Sequence, residues 1–170
     1  MPRKNSAHDL VVECLTTALL DLMKKKPFSL INISELCERA GVSRASFYRN
    51  FNSKEDILLA FLKRIMDEWW QKFEKKPQSE FFDTFWSELI GQYSKNKEFI
   101  NLLIDNNLTY IIKDHIFMCC RQEPDCDEFR AYVCSVLAGA VYGYVDEWCR
   151  RGMKDKSPDI DFRKMLSLLD

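Results

Sequence analysis

The sequence contains few of the residues that form tight turns. Among 170 residues there are 5 Gly and 5 Pro, whereas β-sandwiches and barrels need such residues at every hairpin. No apolar run approaches the about 20 residues that cross a bilayer. Charged and polar residues follow the basic start at positions 2–6, which is not the pattern of a signal peptide. We therefore expect an all-helical protein of the cytoplasm, with no membrane partner.

Enzyme motifs and metal-ligand patterns are also missing. The sequence has no Gly-rich phosphate loop, nucleophile elbow or metalloprotease motif, so we expect neither enzymatic activity nor a cofactor. The 7 cysteines are scattered and odd in number, which favours reduced cytoplasmic thiols. Cys119, Cys120 and Cys126 lack a His or a fourth thiol at zinc-ligand spacing. We expect small apolar side chains there rather than a metal site, with a cysteine-based redox sensor as the less favoured alternative.

The charge that is present is divided unevenly along the chain. Residues 1–60 contain nine Lys or Arg and seven Asp or Glu, a net charge of +2, whereas the remainder contains 16 basic and 19 acidic residues, a net of −3. The overall charge of −1 is the sum of these two parts. The asymmetry is mild, but its direction favours a nucleic-acid contact near the N-terminus.

Apolar spacing and capping residues predict four helices in the first part of the chain. Apolar residues at three- and four-residue steps predict a first helix over 8–25, which Pro27 ends. Asn32 and Glu35 form a capping box at the start of a short second helix. Gly41 supplies a position of positive φ, and Ser43 caps a third helix that reaches Phe51. Another capping box, at 53–56, begins a long fourth helix to about residue 75.

The rest of the chain also has helical periodicity. Further helices are predicted around 81–90, over 99–104, 108–119 and 127–151, and over 157–169, for about nine in total. A packing helix followed by two short helices and a tight turn forms a helix-turn-helix. We predict two domains: residues 1–55 would form a helix-turn-helix domain, and residues 56–170 a second helical domain.

The stretch from Ile33 to Ile57 closely resembles the DNA-binding signature of the TetR family. The turn Ala40-Gly41-Val42-Ser43, the aromatic pair Tyr48 and Phe51, and the helix start Lys54-Glu55-Asp56-Ile57 all fit at fixed spacing. The resemblance implies an all-α fold in which the second domain binds an effector and dimerises. It also implies a regulator of transcription that binds a palindromic operator in double-stranded DNA, typically a repressor released by a small molecule. A TetR-like adaptor or co-activator gated by a protein partner remains an alternative.

Hydrogen-bonding and small side chains lie on the outer face of the predicted third helix. Arg44 can bind a guanine edge and Asn50 an adenine edge, whereas Ser46, Tyr48 and Lys54 suit phosphates. The full set of candidate DNA contacts is Asn32, Ser34, Ser43, Arg44, Ala45, Ser46, Tyr48, Asn50 and Lys54. For Asn32 and Ser43 a capping role alone is the simpler interpretation. Arg44 as a solvated charge and Tyr48 as half-buried packing are the corresponding alternatives.

Aromatic residues are concentrated after the predicted reading unit. The family layout implies that part of this cluster lines a cavity for a small apolar or aromatic effector. The candidate residues are Trp69, Phe73, Phe82, Phe85, Trp86 and Tyr110. A well-filled core is the alternative, since aromatic residues at helical spacing commonly serve that purpose.

The segment from Val141 to Gly152 resembles the tail helix of short TetR-like regulators of low-GC Gram-positive bacteria. In that family the last two helices of each subunit form a four-helix homodimer interface, here about 129–149 and 160–169. Glycines within a helix lower its stability, so a close helix contact is expected beside them. The candidate interface residues are Gly139, Ala140, Gly143, Trp148, Leu166 and Leu169. Packing within one chain is the alternative.

Overall fold

The structure contains helices and turns but no strand in the residues that it describes. It is a computed structural model that describes residues 7–120 and 127–154, without the side chains of residues 7 and 78–83. The eight α-helices are α1 (Ala7–Met23), α2 (Ile33–Ala40), α3 (Arg44–Asn50), α4 (Lys54–Phe73), α5 (Gln78–Lys95), α6 (Lys97–Asp105), α7 (Tyr110–Cys120) and α8 (Glu128–Arg150). A 3-10 turn, Phe28–Leu30, joins α1 to α2. The all-α fold class is confirmed, and the helix predicted over 157–169 lies outside the described residues.

Side-chain caps fix the starts of the short helices as the sequence indicates. The Asn32 side chain accepts from the Glu35 amide at 2.9 Å, and Ser43 Oγ accepts from the Ser46 amide at 3.1 Å. The Glu35 carboxylate pairs with Lys26 at 2.5 Å, so the reciprocal half of that capping box is replaced by an ion pair. At α4 the box is complete, because Asp56 accepts from the Ser53 amide and Ser53 Oγ accepts from the Asp56 amide.

Left-handed residues end three of the helices. Gly41 has φ 65° after α2, Asn107 has φ 57° after α6, and Gly152 has φ 74° after α8. In each case the amide of the next residue donates to a carbonyl five positions earlier. This bond pattern is the Schellman motif, which turns the chain sharply at a helix end. The predicted turn at Gly41 and the predicted helix end at Gly152 are both confirmed.

The described residues form two compact units. Unit 1 contains residues up to Ile65 together with Asn101–His115, and its described part begins at residue 7. Helix α1 packs against both α2 and α3. The core of unit 1 is formed by apolar side chains from every element, including Leu15, Leu19, Ile31, Leu36, Phe47, Ile57, Leu58, Leu62 and Leu103. The predicted boundary after residue 55 falls within the first turn of α4, and unit 1 continues beyond it.

Unit 2 contains Met66–Ile100 and the described residues from Ile116 onwards. Its buried side chains include Phe73, Leu89, Ile90, Tyr93, Phe99, Ile100, Val145 and Trp148. Lys76 and Glu88 form an ion pair that joins the end of α4 to α5. No helix in the described ranges is both long enough and apolar enough to cross a membrane.

Candidate nucleic-acid interface

Helix α3 is held by two phenylalanines and exposes its opposite face. Phe47 is fully buried and Phe51 is 7% exposed, and their ring centroids lie 6.3 Å apart. Arg44, Ala45 and Tyr48 are exposed. A seven-residue helix is too short to be stable alone, so this apolar anchor is what fixes the exposed face.

A row of polar side chains runs along α3 at three-residue steps. Ser43 Oγ donates to Ser46 Oγ at 3.1 Å, and Ser46 Oγ accepts from Arg49 Nη2 at 2.8 Å. Ser46, predicted as a phosphate contact, is therefore already bound on both sides within the helix. Arg49 is exposed and was not among the candidates from the sequence. The 43, 46, 49 spacing places all three on one helical face and could have identified it.

Arg44 is the first residue of α3, and its side chain is exposed. Burial raises the pKa of the Cys37 thiol in α2, and the positive charge of Arg44 partly opposes that rise. Helix α3 contains two arginines and no acidic residue, so it presents positive charge to a partner.

The side chains of Tyr48 and Asn50 differ in how free they are to contact a partner. The Tyr48 side chain is 52% exposed and meets Phe47 edge-on, with the ring centroids 5.1 Å apart. The Asn50 Nδ2 donates to the Ser46 carbonyl at 2.6 Å, so this amide is folded back along its own helix. The second N–H of this amide and its Oδ1 are the groups left to contact an adenine edge.

Lys54 contacts the turn that precedes α2. Its Nζ donates to the carbonyl oxygens of Phe28 at 2.8 Å and Ile31 at 2.5 Å, and lies 4.2 Å from the centroid of the Phe28 ring. Burial lowers the pKa of this ammonium. Two of its three N–H donors are thus occupied, and a phosphate contact depends on the third. Asn32 and Ser34, at the start of α2, are exposed.

Four of the candidate effector residues, Trp69, Phe73, Phe85 and Trp86, lie together in unit 2, and the rings of Phe85 and Trp86 meet edge-on with their centroids 5.2 Å apart. The Trp69 ring stacks on Phe73 at 5.2 Å and contacts Phe85 at 6.1 Å, measured between centroids. Trp86 lies 4.7 Å from the ring of Tyr144, a residue of α8 that the sequence reasoning missed. The Phe82 side chain is outside the described residues. Tyr110 belongs to unit 1 and is 43% exposed.

Two buried polar atoms of unit 2 have no hydrogen-bond partner among the described residues. They are Nε1 of Trp69 and the hydroxyl of Tyr93. Burial raises the pKa of the Tyr93 hydroxyl, and the nearby thiols of Cys149 and Cys119 raise it further. Burial also raises the pKa of Cys149 to about 11. Unpaired buried donors are uncommon in folded proteins and mark places where a further polar group would be stabilised.

Helix α8 exposes a continuous apolar row in its first half. The exposed members are Phe129, Tyr132, Val133, Val136 and Leu137. The candidate interface residues Gly139, Ala140 and Gly143 are exposed as well, and a Cβ added at either glycine would meet nothing within 4 Å. Trp148 is 5% exposed. Its side chain is therefore packed within its own chain, and its role at an interface stays a prediction. Leu166 and Leu169 lie outside the described residues.

Three features define a helix-turn-helix domain here. They are a packing helix, two short capped helices joined at a left-handed glycine, and an exposed polar face on the second of these short helices. A model of bacterial regulatory proteins of the tetR family matches residues 15–61. Among curated proteins, the HTH-type transcriptional regulator EthR of two Mycobacterium tuberculosis strains is 36% identical over 63 residues, as is the EthR of Mycobacterium bovis. That stretch is 37% of this chain and 29% of each relative, so it spans less than a third of the proteins it matches. The N-terminal part of the chain, residues 15–61, is therefore similar to the DNA-binding domain of tetR-family regulators.

Proposed function

We propose that this protein is a sequence-specific DNA-binding transcriptional regulator that acts as a homodimer in the cytoplasm. Repression of a palindromic operator, relieved by a small effector molecule, is the proposed mode of action. The observation that supports it most is the geometry of α3. Its polar and positively charged face is exposed, while Phe47 and Phe51 hold the opposite face in the core.

Helix α3 would lie in the major groove, with its N-terminal residues at the base edges. Arg44 would bind a guanine through two hydrogen bonds, and Ala45 would allow close approach. Tyr48 and Arg49 would bind phosphates that set the register of the helix. Ser43 and Ser46 would hold Arg49, and the third N–H donor of Lys54 would contact a further phosphate. Asn32, Ser34 and Asn50 complete the proposed surface.

The small number of base pairs that one helix-turn-helix can read supports dimerisation. A single unit reads few base pairs, so such domains commonly bind as dimers to half-sites about one helical turn, roughly 34 Å, apart. The apolar row of α8 supports a second copy of this chain as the partner. A contiguous exposed apolar row of this kind is costly in water, and a symmetric contact would bury it in both chains.

The proposed effector is a small apolar or aromatic molecule with a hydrogen-bond acceptor. The rings of Trp69, Phe73 and Phe85 contact one another and would provide an apolar lining. The unpaired donors on Trp69 and Tyr93 would provide polar partners. Binding there would favour a conformation of α4 that separates the two reading helices and lowers operator affinity.

Selection of duplexes from a random-sequence pool tests the DNA-binding proposal. We expect enrichment of one palindromic sequence, and footprinting should show protection of two adjacent major-groove segments. The matched control is the same selection with an Arg44→Ala, Tyr48→Ala double variant, which should enrich no sequence. Failure of the wild-type chain to enrich any sequence would overturn the proposed function.

The effector proposal is tested separately by screening small aromatic compounds for a change in thermal unfolding and in tryptophan fluorescence. A compound that binds should release the selected operator, and Phe85→Ala should weaken its effect. If no compound binds and operator release instead requires a protein from the same cell, the adaptor alternative is correct.

A further inference from the structure

A loop far from the helix-turn-helix in sequence contacts the turn that sets the position of α2. Asn106, between α6 and α7, accepts a hydrogen bond on Oδ1 from the backbone amide of Phe28 at 2.7 Å. Both residues belong to unit 1. The sequence shows this segment only as a break between two helices, so the contact is a finding of the structure.

The loop that carries Asn106 is itself firmly fixed. The amide of Leu108 donates to the Leu103 carbonyl at 2.7 Å around the left-handed Asn107. The Asn106 Nδ2 donates to the Leu102 carbonyl at 2.9 Å. Leu103 and Leu108 are both buried. The acceptor oxygen of Asn106 therefore has a defined position relative to the rest of unit 1.

The turn that receives this contact is held from a second direction by α4. Lys54 Nζ binds the carbonyls of Phe28 and Ile31. The backbone amide and carbonyl of Phe28 are thus bound by two side chains from different parts of the chain. Ile31 directly precedes Asn32, which caps α2. Movement of this turn would move the start of α2 and, through the short turn at Gly41, the reading helix α3.

We infer that Asn106 is a positioning residue for DNA reading, which acts by holding the Phe28 amide and thereby the α2–α3 pair. This inference rests on the proposed function. Asn106 contributes no contact to DNA; it stabilises the arrangement of the turn in which α3 can bind. In a variant without this acceptor, a smaller fraction of the molecules would have the turn in the arrangement that allows α3 to bind. The apparent affinity for the operator would fall in proportion to that fraction.

Operator titrations with three variants test the role. Asn106→Ala removes the acceptor, and Asn106→Asp keeps an oxygen at the same place. Asn96→Ala is the matched control, because the Asn96 Nδ2 makes the same bond to a carbonyl four residues earlier, Gln92, at the end of α5 in unit 2. We expect about tenfold weaker binding for Asn106→Ala, which corresponds to about 1.4 kcal/mol. Asn96→Ala should stay within about twofold of the wild type. Asn106→Asp keeps the acceptor for the Phe28 amide but replaces the donor to the Leu102 carbonyl with an oxygen, so it should recover only part of the loss.

Two further measurements separate positioning from direct contact and from general destabilisation. The salt dependence of binding should be unchanged in Asn106→Ala, since no phosphate contact is lost. The order of base preferences should also be unchanged. Hydrogen exchange at the Phe28 amide should accelerate in Asn106→Ala and remain slow in Asn96→Ala and Asn106→Asp, at comparable unfolding temperatures.

The inference would be overturned if Asn106→Ala and Asn96→Ala bound the operator equally well, or if Asn106→Ala lowered the salt dependence. If the wild-type chain bound no sequence selectively, the proposed function would fail instead. Exchange at the Phe28 amide would then still show whether Asn106 holds the turn, so the two failures are distinguishable.

Discussion

The amide of Val42 donates to the carbonyl of Cys37 at 3.0 Å, and this bond closes the turn between the two short helices. The geometry requires Gly41 between them to adopt φ 65°, a conformation that residues with a Cβ rarely adopt. The direction in which α3 leaves α2 therefore depends on one glycine.

Gly41→Ala should lower the free energy of unfolding by about 1 kcal/mol or more, through backbone strain alone. An added Cβ would meet nothing within 4 Å, so no steric clash contributes. Gly91, in the helical backbone of α5, has equally open surroundings and serves as the control. Gly91→Ala should raise stability by about 0.5–1 kcal/mol. Thermal or denaturant unfolding measures both, and two shifts of the same sign would refute the turn argument.

Arg44→Ala should weaken specific DNA binding by about 1–3 kcal/mol and relax the base preference at one position in each half-site. The reason is the exposed position of Arg44 at the start of α3. Arg151→Ala is a suitable control, because it removes an arginine whose guanidinium pairs with Glu147 at the end of α8. Titration against the selected operator and its single-base variants is the measurement. Unchanged affinity and preference in Arg44→Ala would exclude a base contact.

Lys54→Ala should weaken binding to all sequences alike, because a phosphate contact carries no sequence information. The slope of log affinity against log salt should fall by about one unit for each lost phosphate contact in a half-site. Asn106→Ala provides the comparison, since it disturbs the same turn without removing a charge. A salt slope that stays at the wild-type value in Lys54→Ala would show that the ammonium acts only through the carbonyls of Phe28 and Ile31.

The α8 surface should mediate dimerisation. Val136, which is 71% exposed, lies in the middle of the apolar row, and Val136→Glu should give a monomer at micromolar concentration because it would bury an unpaired charge. Gly143→Leu has room within one chain but should cost about 1–3 kcal/mol or more where two helices pack closely. Met118→Glu, at an exposed residue of α7, is the control and should remain dimeric. Light scattering distinguishes these states, and a monomeric wild type would refute the dimer.

Local signals in the sequence were sufficient to predict the N-terminal fold. Asn32, Gly41 and Ser43 each perform a role set by neighbours within five residues, namely a cap or a left-handed turn. The burial of Phe47 and Phe51 follows from their four-residue spacing. These features depend on short-range geometry, and residue types report such geometry directly.

Contacts across long sequence separations could not be predicted in the same way. The bond from the Phe28 amide to Asn106 spans 78 positions, and no periodicity indicates it. The burial of Trp148 and the contact between Trp86 and Tyr144 also depend on which helices are neighbours in space. The spacing of apolar residues predicts which face of a helix is buried, but it does not predict which other element buries that face.

Competition between two duplexes tests the central claim most directly. The full chain would be titrated against the palindrome enriched by selection and against a scrambled duplex of the same composition, at one fixed salt concentration. We predict at least about thousandfold tighter binding to the palindrome, with two chains bound to each duplex. Equal affinity for the two duplexes would contradict the account, because it would show that α3 does not read sequence.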